Sequence, residues 1–291
     1  MNHSVARKMR RPNFPRVGAV LGALALTAGL AATSACTSAG SSHADQPARE
    51  KPSILLVHGA FVDGSSWHDV AAKLQRDGYD VTVAAVPLRG LTYDSAYVKS
   101  LLDTMPRKTI LVGHSYGGAV ITNAATGSPK AAGLVYVAAF VPDEGEALGA
   151  IDQRYNGPAS KIGVPREYPL PAGTQKSETE PGVELSVDPA KFHEYFAPDL
   201  PADKAAVLAA AQRPIAASAF AQASGVPAWK TLPTWDLITR DDKMIPPDGQ
   251  RAMATRAHAT ITEVSASHAV TLSQPDEVTK VIETAANTVQ P

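Results

Sequence analysis

One serine lies between small residues at a point where the hydrophobic pattern changes. Ser115 belongs to the segment TILVGHSYGGAV, residues 109–120, with Gly113 two positions before it and Gly117 two positions after it. The apolar run up to Gly113 is typical of a strand, and the residues after the serine follow a helical pattern. A serine at such a turn is strained, exposes its hydroxyl above the sheet, and needs small residues on both sides. The segment therefore predicts a nucleophilic serine.

A serine hydroxyl is a poor nucleophile unless a base accepts its proton. Among the eight histidines, His268 follows the last predicted strand in the loop SASHAV, at the sheet edge where Ser115 lies. The base must approach the serine from that edge, so His268 is the predicted base. His58 and His114 stand beside glycines at predicted strand ends, and we expect them to be packed supports of the site.

A third group must orient the histidine, and its place in the chain is between the serine and the histidine. The loop RDDKMIPP, residues 240–247, follows the predicted strand TWDLIT and carries Asp241 and Asp242. Both qualify as the acid, and spacing alone does not separate them. Asp236 lies within the strand and is less able to reach the histidine.

Backbone N–H groups are needed to stabilise the negative charge that develops on an attacked carbonyl oxygen. One comes from Tyr116, directly after the serine, and the other from the loop VHGAF, where Ala60 is the predicted donor. Phe61 would then face the substrate, and Phe140 is a second candidate for the substrate pocket. The remaining aromatic candidates are Phe192, Tyr195, Phe196, Phe220 and Trp229. We expect each of them to be a core residue and not a substrate contact, because most aromatic residues at helical spacing are core.

The loops that carry these residues require a sheet to position them. Short apolar runs alternate with helical patterns along much of the 291-residue chain, which is long enough for one large α/β domain. Continuous β-branched runs separated by helices indicate a mostly parallel sheet with helices on both faces. About six strands are predicted, in the runs SILLV, VTVAAV, TILVG, GLVYVAA, TWDLIT and TITEVSA.

The alternation breaks between residues 141 and 228, where 11 of the 23 prolines fall. Helical pieces remain at residues 188–196 and 201–212, but no strand pattern is visible. We expect a cap of loops and short helices, inserted over the carboxyl edge of the sheet. The folded domain would then comprise residues 52–291, with the cap at about 141–228.

The N-terminus has the pattern of an export signal. Residues 1–35 contain five basic residues and no acidic residue, and the segment 17–32 is uncharged and mostly apolar. That apolar run has 16 residues, fewer than the roughly 20 that cross a bilayer. A cleaved signal is therefore favoured over the alternative, an uncleaved anchor, and the mature protein is expected outside the cytoplasm.

Cys36 is the only cysteine, so the chain can form no internal disulfide bond. Its place after the apolar run resembles a bacterial lipoprotein signal, in which the cysteine becomes the lipidated first residue, although Thr33 stands where leucine is usual. The alternatives are a lipid anchor on the outer side of the cytoplasmic membrane and ordinary cleavage that yields a secreted protein. Residues 36–51 are polar and small and are predicted to form a flexible tether.

Charge and composition exclude several kinds of partner. Without residues 1–35, 22 basic residues remain against 28 acidic ones, which leaves a charge of about −6. This acidic excess argues against nucleic acid or an anionic membrane surface as a partner. The sequence has no clustered metal ligands and no phosphate-binding glycine loop, so no metal or other cofactor is predicted.

The complete set of motifs resembles the α/β-hydrolase superfamily, from ILLVHGAF to the final helix. The segments HGAFVDGSSW, GHSYGG, DDKMIPP and SH are similar to the branch of plant methylesterases, hydroxynitrile lyases and bacterial carboxylesterases. In that branch the acid precedes a residue pair and then Ile-Pro, which implies Asp242 as the acid. The resemblance implies a serine hydrolase that forms an acyl-enzyme on Ser115 from a small carboxylic ester or lactone, without a cofactor.

Two positions differ from the hydroxynitrile lyases of this branch. Those enzymes carry threonine where this chain has Gly59 and lysine where it has Ala269, and they need both groups to handle the hydroxyl and the cyanide. The absence of both groups favours hydrolysis. The alternatives are a ligand-binding relative without catalysis and a lyase or haloperoxidase-like activity.

Overall fold

The computed structural model describes residues 50–168 and 182–289. The predicted export signal, Cys36 and most of the predicted tether lie outside the described residues. Glu50 and Lys51, which the sequence assigned to the tether, contact the domain: Glu50 forms a 3.0 Å ion pair with Arg107, and the Lys51 ammonium lies 4.3 Å from the centroid of the Tyr79 ring. No helix in the described ranges is both long enough and apolar enough to cross a membrane.

The described residues form strands and helices in the order that the sequence predicts outside the cap. The strands are β1 (Ser53–Val57), β2 (Val81–Ala84), β3 (Thr109–His114), β4 (Ala131–Val137), β5 (Gly163–Tyr168), β6 (Gly182–Val187), β7 (Ile215–Ala216), β8 (Thr234–Thr239) and β9 (Thr260–Val264). The α-helices are α1 (His68–Arg76), α2 (Leu91–Thr104), α3 (Tyr116–Ala124), α4 (Leu148–Arg154), α5 (Ala159–Ile162), α6 (Pro189–Tyr195), α7 (Ala202–Ala210), α8 (Ser218–Ala221), α9 (Pro247–Arg256), α10 (Val270–Ser273) and α11 (Pro275–Thr288). Short 3₁₀ helices occur at Gly64–Trp67 and Ala228–Lys230.

The central sheet has six strands in the order β2-β1-β3-β4-β8-β9, and every neighbouring pair is parallel. All residues of β1, β3 and β8 are buried, because α2, α3 and α9 pack on one face and α1 and α11 on the other. This arrangement confirms the predicted α/β-hydrolase fold. The chain turns in opposite directions after β1 and after β3, and ligands of such sheets bind at the carboxyl ends of these strands.

The expectation of a cap without strands is wrong. β5, β6 and β7 form a second, antiparallel sheet in the order β5-β6-β7. The four middle residues of β5, the sequence GVPREY, are exposed, and Pro165 is tolerated there because β5 is an edge strand. The segment therefore lacks an alternating apolar pattern, and its pairing with β6 is what makes it a strand. The two helices predicted in the cap are present as α6 and α7.

Asp236 lies in the middle of β8 and is fully buried. Neither of its carboxyl oxygens has a hydrogen-bond partner within the described ranges, and burial raises the pKa of Asp236 well above its ordinary value. Above a pH of about 4, the carboxyl group of Asp236 is therefore deprotonated in the unfolded chain but stays protonated in the folded protein. Stability falls as the pH rises from that value towards the pKa of the folded state.

We expect Asp236→Leu to raise the free energy of unfolding at pH 7 by about 1–3 kcal/mol, because leucine keeps the branched shape and buries no unpaired polar group. Urea unfolding followed by tryptophan fluorescence measures the gain, which is smaller at pH 5. Asp94→Leu is the matched control: Asp94 is equally buried but accepts hydrogen bonds from the Tyr116 hydroxyl (2.7 Å) and the Arg89 N–H (3.1 Å), so its loss destabilises the protein. A similar loss of stability for both variants would contradict the assignment of an unpaired carboxyl.

Candidate active site

The turn between β3 and α3 holds Ser115 in a strained conformation. Its φ of 54° and ψ of −121° lie in a region that residues other than glycine rarely adopt. A Cβ atom on Gly113 would lie 2.5 Å from the carbonyl oxygen of Gly117, and a Cβ atom on Gly117 would collide with the carbonyl oxygen of Val57, so neither position leaves room for a side chain. These contacts explain the small residues on both sides of the serine in the sequence.

The side chains of Ser115, His268 and Asp242 form a hydrogen-bonded chain. Nε2 of His268 lies 2.8 Å from Oγ of Ser115, and Nδ1 lies 2.8 Å from Oδ2 of Asp242. All three side chains are buried. In the neutral tautomer that fits both contacts, Nδ1–H donates to the carboxylate and Nε2 accepts from the serine hydroxyl. A hydroxyl, an imidazole and a carboxylate thus stand in the order that a nucleophile, a base and an orienting acid require.

The two aspartates that spacing left open occupy different environments. Asp242 is buried and contacts His268, whereas the side chain of Asp241 is exposed. The backbone N–H of Asp241 donates to the carbonyl of Ala266, which holds the loop after β8 against the loop that carries His268. Asp242, the residue that the resemblance implied, is therefore the aspartate that contacts the imidazole.

Asp242 accepts hydrogen bonds from four groups besides the imidazole. Its Oδ1 accepts from the N–H groups of Met244 (2.7 Å) and Ile245 (2.9 Å). Its Oδ2 accepts from the Thr239 hydroxyl and the Gln250 amide, both at 2.9 Å. These donors offset the cost of burying the carboxylate and fix its orientation.

Gln250 is a site residue that the sequence analysis missed. It lies one turn into α9, is fully buried, and also donates to the carbonyl of Ile245 at 2.7 Å. Nothing in the local pattern marks this glutamine, because polar residues are common in the first turns of surface helices. The one sequence signal that links Gln250 to Asp242 is its position shortly after the Ile-Pro pair.

Two backbone N–H groups beside the serine have no acceptor in the described part of the chain. Ala60 follows β1 and Tyr116 begins α3, and both line the same pocket as Ser115. Within the described ranges neither N–H donates a hydrogen bond to another group of the chain. The N-terminus of α3 also favours negative charge at this position. Both groups are therefore free to bind a developing oxyanion.

The two histidines predicted to be supports brace the loops on either side of the serine. His114 is buried and Nε2 lies 2.9 Å from the carbonyl oxygen of His268; burial and the nearby His268 lower the pKa of His114 to about 3, so it stays neutral. His58 accepts a hydrogen bond from the Val86 N–H at 3.1 Å and donates through Nδ1 to the carbonyl of Gly59. Burial lowers the pKa of His58 as well.

A carboxylate of the cap holds the loop that carries the base. Asp199 accepts hydrogen bonds from the Ser267 N–H (2.9 Å), the Ser267 hydroxyl (2.5 Å) and the Ser273 hydroxyl (2.8 Å). The Phe196 ring packs edge-on against the His268 imidazole, with 4.9 Å between centroids. This contact joins residues about 70 positions apart, so no local sequence pattern predicts it.

A pocket that is partly open to solvent lies over Ser115 and His268. Phe61 and Phe140 both line it, as expected, and so does Phe220. Phe192 does not line this pocket and stacks on Phe196, with 4.7 Å between centroids. The cap contributes Leu185 and Val187 of β6 together with Asp152 of α4. The lining is mostly apolar, which suits a small organic ligand.

Comparison with known proteins identifies the family. Residues 54–281 match the sequence model of the Alpha/beta hydrolase family, which is most of the chain. This chain belongs to that family. The match extends from β1 into α11 and so includes every residue of the serine–histidine–aspartate chain described above.

Segments of this α/β hydrolase are similar to curated esterases. It is 36% identical over 112 residues to the carbendazim hydrolyzing esterase of Nocardioides sp. (strain SG-4G), covering 34% of this chain and 46% of that protein. It is 36% identical over 105 residues to methylesterase 7 of Arabidopsis thaliana, covering 31% of this chain and 40% of that protein. The chain thus spans about half, or less, of the length of these relatives.

Solved structures with the same fold cover nearly the whole domain. Polyneuridine aldehyde esterase superposes with a TM-score of 0.69 at 20% identity, over 81% of this chain and 100% of that one. A pyrethroid hydrolase from Sphingobium faniae JZ-2 superposes with a TM-score of 0.62 at 22% identity, over 81% and 98% of the two chains. At this level of identity the likeness supports the fold.

We expect Asp242→Asn to slow the reaction of Ser115 with an organophosphonate by roughly 10³-fold or more, because an amide no longer holds the imidazole in the required tautomer. Asp241→Asn is the matched control and should change the rate by less than about twofold, since Asp241 is exposed. Labelling rates followed by intact mass measure both effects. A crippled Asp241→Asn variant beside an active Asp242→Asn variant would refute the assignment of the acid.

Proposed function

We propose that this chain is a serine hydrolase that cleaves carboxylic esters or lactones through an acyl-enzyme on Ser115. The observation that carries the proposal is the hydrogen-bonded chain from Ser115 through His268 to Asp242, next to the N–H groups of Ala60 and Tyr116. The names of the relatives, esterases of bacteria and plants, support ester hydrolysis over other reactions of the fold.

The reaction follows from the contacts of the site. Nε2 of His268 accepts the proton of Ser115 as Oγ attacks the ester carbonyl carbon, and the N–H groups of Ala60 and Tyr116 stabilise the oxyanion. His268 then gives the proton to the leaving alcohol, which departs and leaves the acyl group on Oγ. Water attacks this acyl-enzyme with His268 as the base, and the carboxylic acid is released with the serine restored.

The pocket favours small or medium esters with an apolar part. Phe61, Phe140 and Phe220 supply aromatic surface beside the nucleophile. The acidic excess of the chain without residues 1–35 disfavours highly anionic substrates through long-range repulsion. A small-molecule ester is therefore the proposed partner.

Hydroxynitrile-lyase chemistry fits this site less well. A Cβ atom on Gly59 would lie 2.8 Å from the Cβ of Ser115, so the threonine of the lyases has no room here without a shift of the backbone. Ala269, at the position of the lyase lysine, is buried among apolar residues of the cap and carries no ammonium group. Both observations favour hydrolysis, in which water is the second reactant, over the cleavage of cyanohydrins.

We expect the wild-type protein to hydrolyse neutral aryl esters and to incorporate one organophosphonate on Ser115. Ser115→Ala should lose ester turnover by roughly 10³-fold or more and take up no label. Faster release of cyanide from mandelonitrile than of phenol from aryl esters would make the chain a lyase. Binding of esters without turnover or labelling would make it a non-catalytic relative.

We further propose that residues 1–35 direct export and that the mature protein is either secreted or lipid-anchored through Cys36. The support is the basic, apolar and small-residue order of this segment, together with the place of the single cysteine. β1 begins at Ser53, so a polar stretch separates Cys36 from the first strand of the domain.

We expect the intact mass of the protein from its native host to lack residues 1–35. A diacylglycerol or further acyl mass on Cys36, lost together with membrane association in a Cys36→Ser variant, would establish the lipid anchor. An unmodified Cys36, or cleavage beyond it, would leave a secreted protein. A mass that includes residues 17–32 would instead indicate a retained anchor and contradict cleavage.

A further inference from the structure

One acidic residue lines the pocket and has no part in the proposed reaction. Asp152 of α4 borders the same pocket as Ser115 and His268 and is only 8% exposed. Among the described residues that line this pocket it is the only acidic one, and most of its neighbours there are apolar. Because Asp152 contacts neither the base nor the acid, its burial has no explanation in the catalytic chain.

The described groups of the cap loop that act on the Asp152 carboxyl are the Ala159 N–H and the charge of Lys161. The Gly157 N–H donates to the backbone carbonyl of Asp152 at 2.7 Å, and a Cβ on Gly157 would collide with the carboxyl oxygen Oδ1. Burial raises the pKa of Asp152, and the Ala159 N–H and the charge of Lys161 offset this only in part. No ion pair joins Asp152 within the described ranges.

A buried carboxyl on a residue that lines an apolar pocket can accept a hydrogen bond from the ligand. A carboxylate offers about four lone-pair positions, and leaving them unfilled in an apolar pocket costs free energy. An O–H or N–H group on a bound molecule fills such a position, whereas a ketone or ether oxygen would face the carboxylate with its own lone pairs. An anionic group would meet the same charge.

We propose that Asp152 is a specificity-determining residue that accepts a hydrogen bond from an O–H or N–H donor on the substrate, away from the ester carbonyl. The inference rests on the proposed hydrolase function and deepens it. The substrate class is then an ester with an apolar body and one donor group, either neutral or cationic. A site built to bind such a donor discriminates against the analogue that lacks it.

Three p-nitrophenyl esters of equal chain length test the proposal. Their acyl chains end in a carboxamide, in the isosteric methyl ketone, or in an ammonium group. We expect kcat/KM for the carboxamide to exceed that for the methyl ketone by about tenfold, as a hydrogen bond to a carboxylate contributes. A higher value for the ammonium ester than for the carboxamide would identify a cationic substrate, and a lower value a neutral one.

Asp152→Asn is the variant that isolates the carboxyl. It keeps the size and one acceptor but adds an N–H₂ donor, so the methyl ketone gains and the ratio of carboxamide to ketone falls towards one. The matched control is Asp188→Asn, an acid of the cap that caps α6 through the Ala190 N–H and does not line the pocket. Its ratio should equal that of the wild type.

Failure of the role of Asp152 and failure of the proposed hydrolase function give different experimental results. Equal kcat/KM for the carboxamide and ketone esters in the wild type would overturn the role of Asp152, while turnover of both would leave the hydrolase intact. An unchanged ratio in Asp152→Asn would overturn it as well. If no ester is turned over and Ser115 takes up no phosphonate, the proposed function itself fails.

Discussion

The site depends on the strained backbone of Ser115. A positive φ at a residue other than glycine persists only where the surroundings fix the backbone on every side. Here the Ser115 N–H donates to the carbonyl of Val137 at 3.2 Å, and the Ser115 carbonyl accepts from the N–H groups of Gly118 (3.0 Å) and Phe140 (3.2 Å). These bonds join the end of β3 to the end of β4 and to the first turn of α3. The parallel sheet is therefore what keeps the hydroxyl aimed at the base.

Two buried aspartates, one inside β8 and one in the loop after it, differ in the hydrogen bonds that their carboxyl groups accept. Asp242 accepts five hydrogen bonds at the carboxyl end of the strand, where loops and the first turn of α9 supply donors. Asp236 lies inside the strand, where the backbone N–H groups bond to neighbouring strands and its carboxyl oxygens have no hydrogen-bond partner in the described ranges. Polar function is therefore concentrated at the strand ends, and a carboxyl within the sheet lowers stability.

The sequence was sufficient for the parts of the molecule that local pattern determines. Apolar runs predict the six central strands. The turn after the third strand predicts the position of Ser115, and the loop after the last strand predicts that of His268. The resemblance was needed to choose Asp242 over Asp241, because the two aspartates are adjacent in one loop and the sequence does not show which of them is buried. The strands of the cap, Gln250 and the contact between Asp199 and Ser267 arise from pairing between distant segments, which no local window contains.

The hydrogen bonds of Asp199 bear on how this protein diverges from other members of its family. Because a residue of the cap holds the loop that carries His268, the cap is not an interchangeable module. A cap grafted from another protein of the fold must bring a carboxylate to this position, or the imidazole loses its anchor. α4 and β6 border the pocket without hydrogen bonds to that loop in the described part of the chain. New substrate preferences are therefore expected to accumulate there, while the segment around Asp199 changes only together with the loop around Ser267.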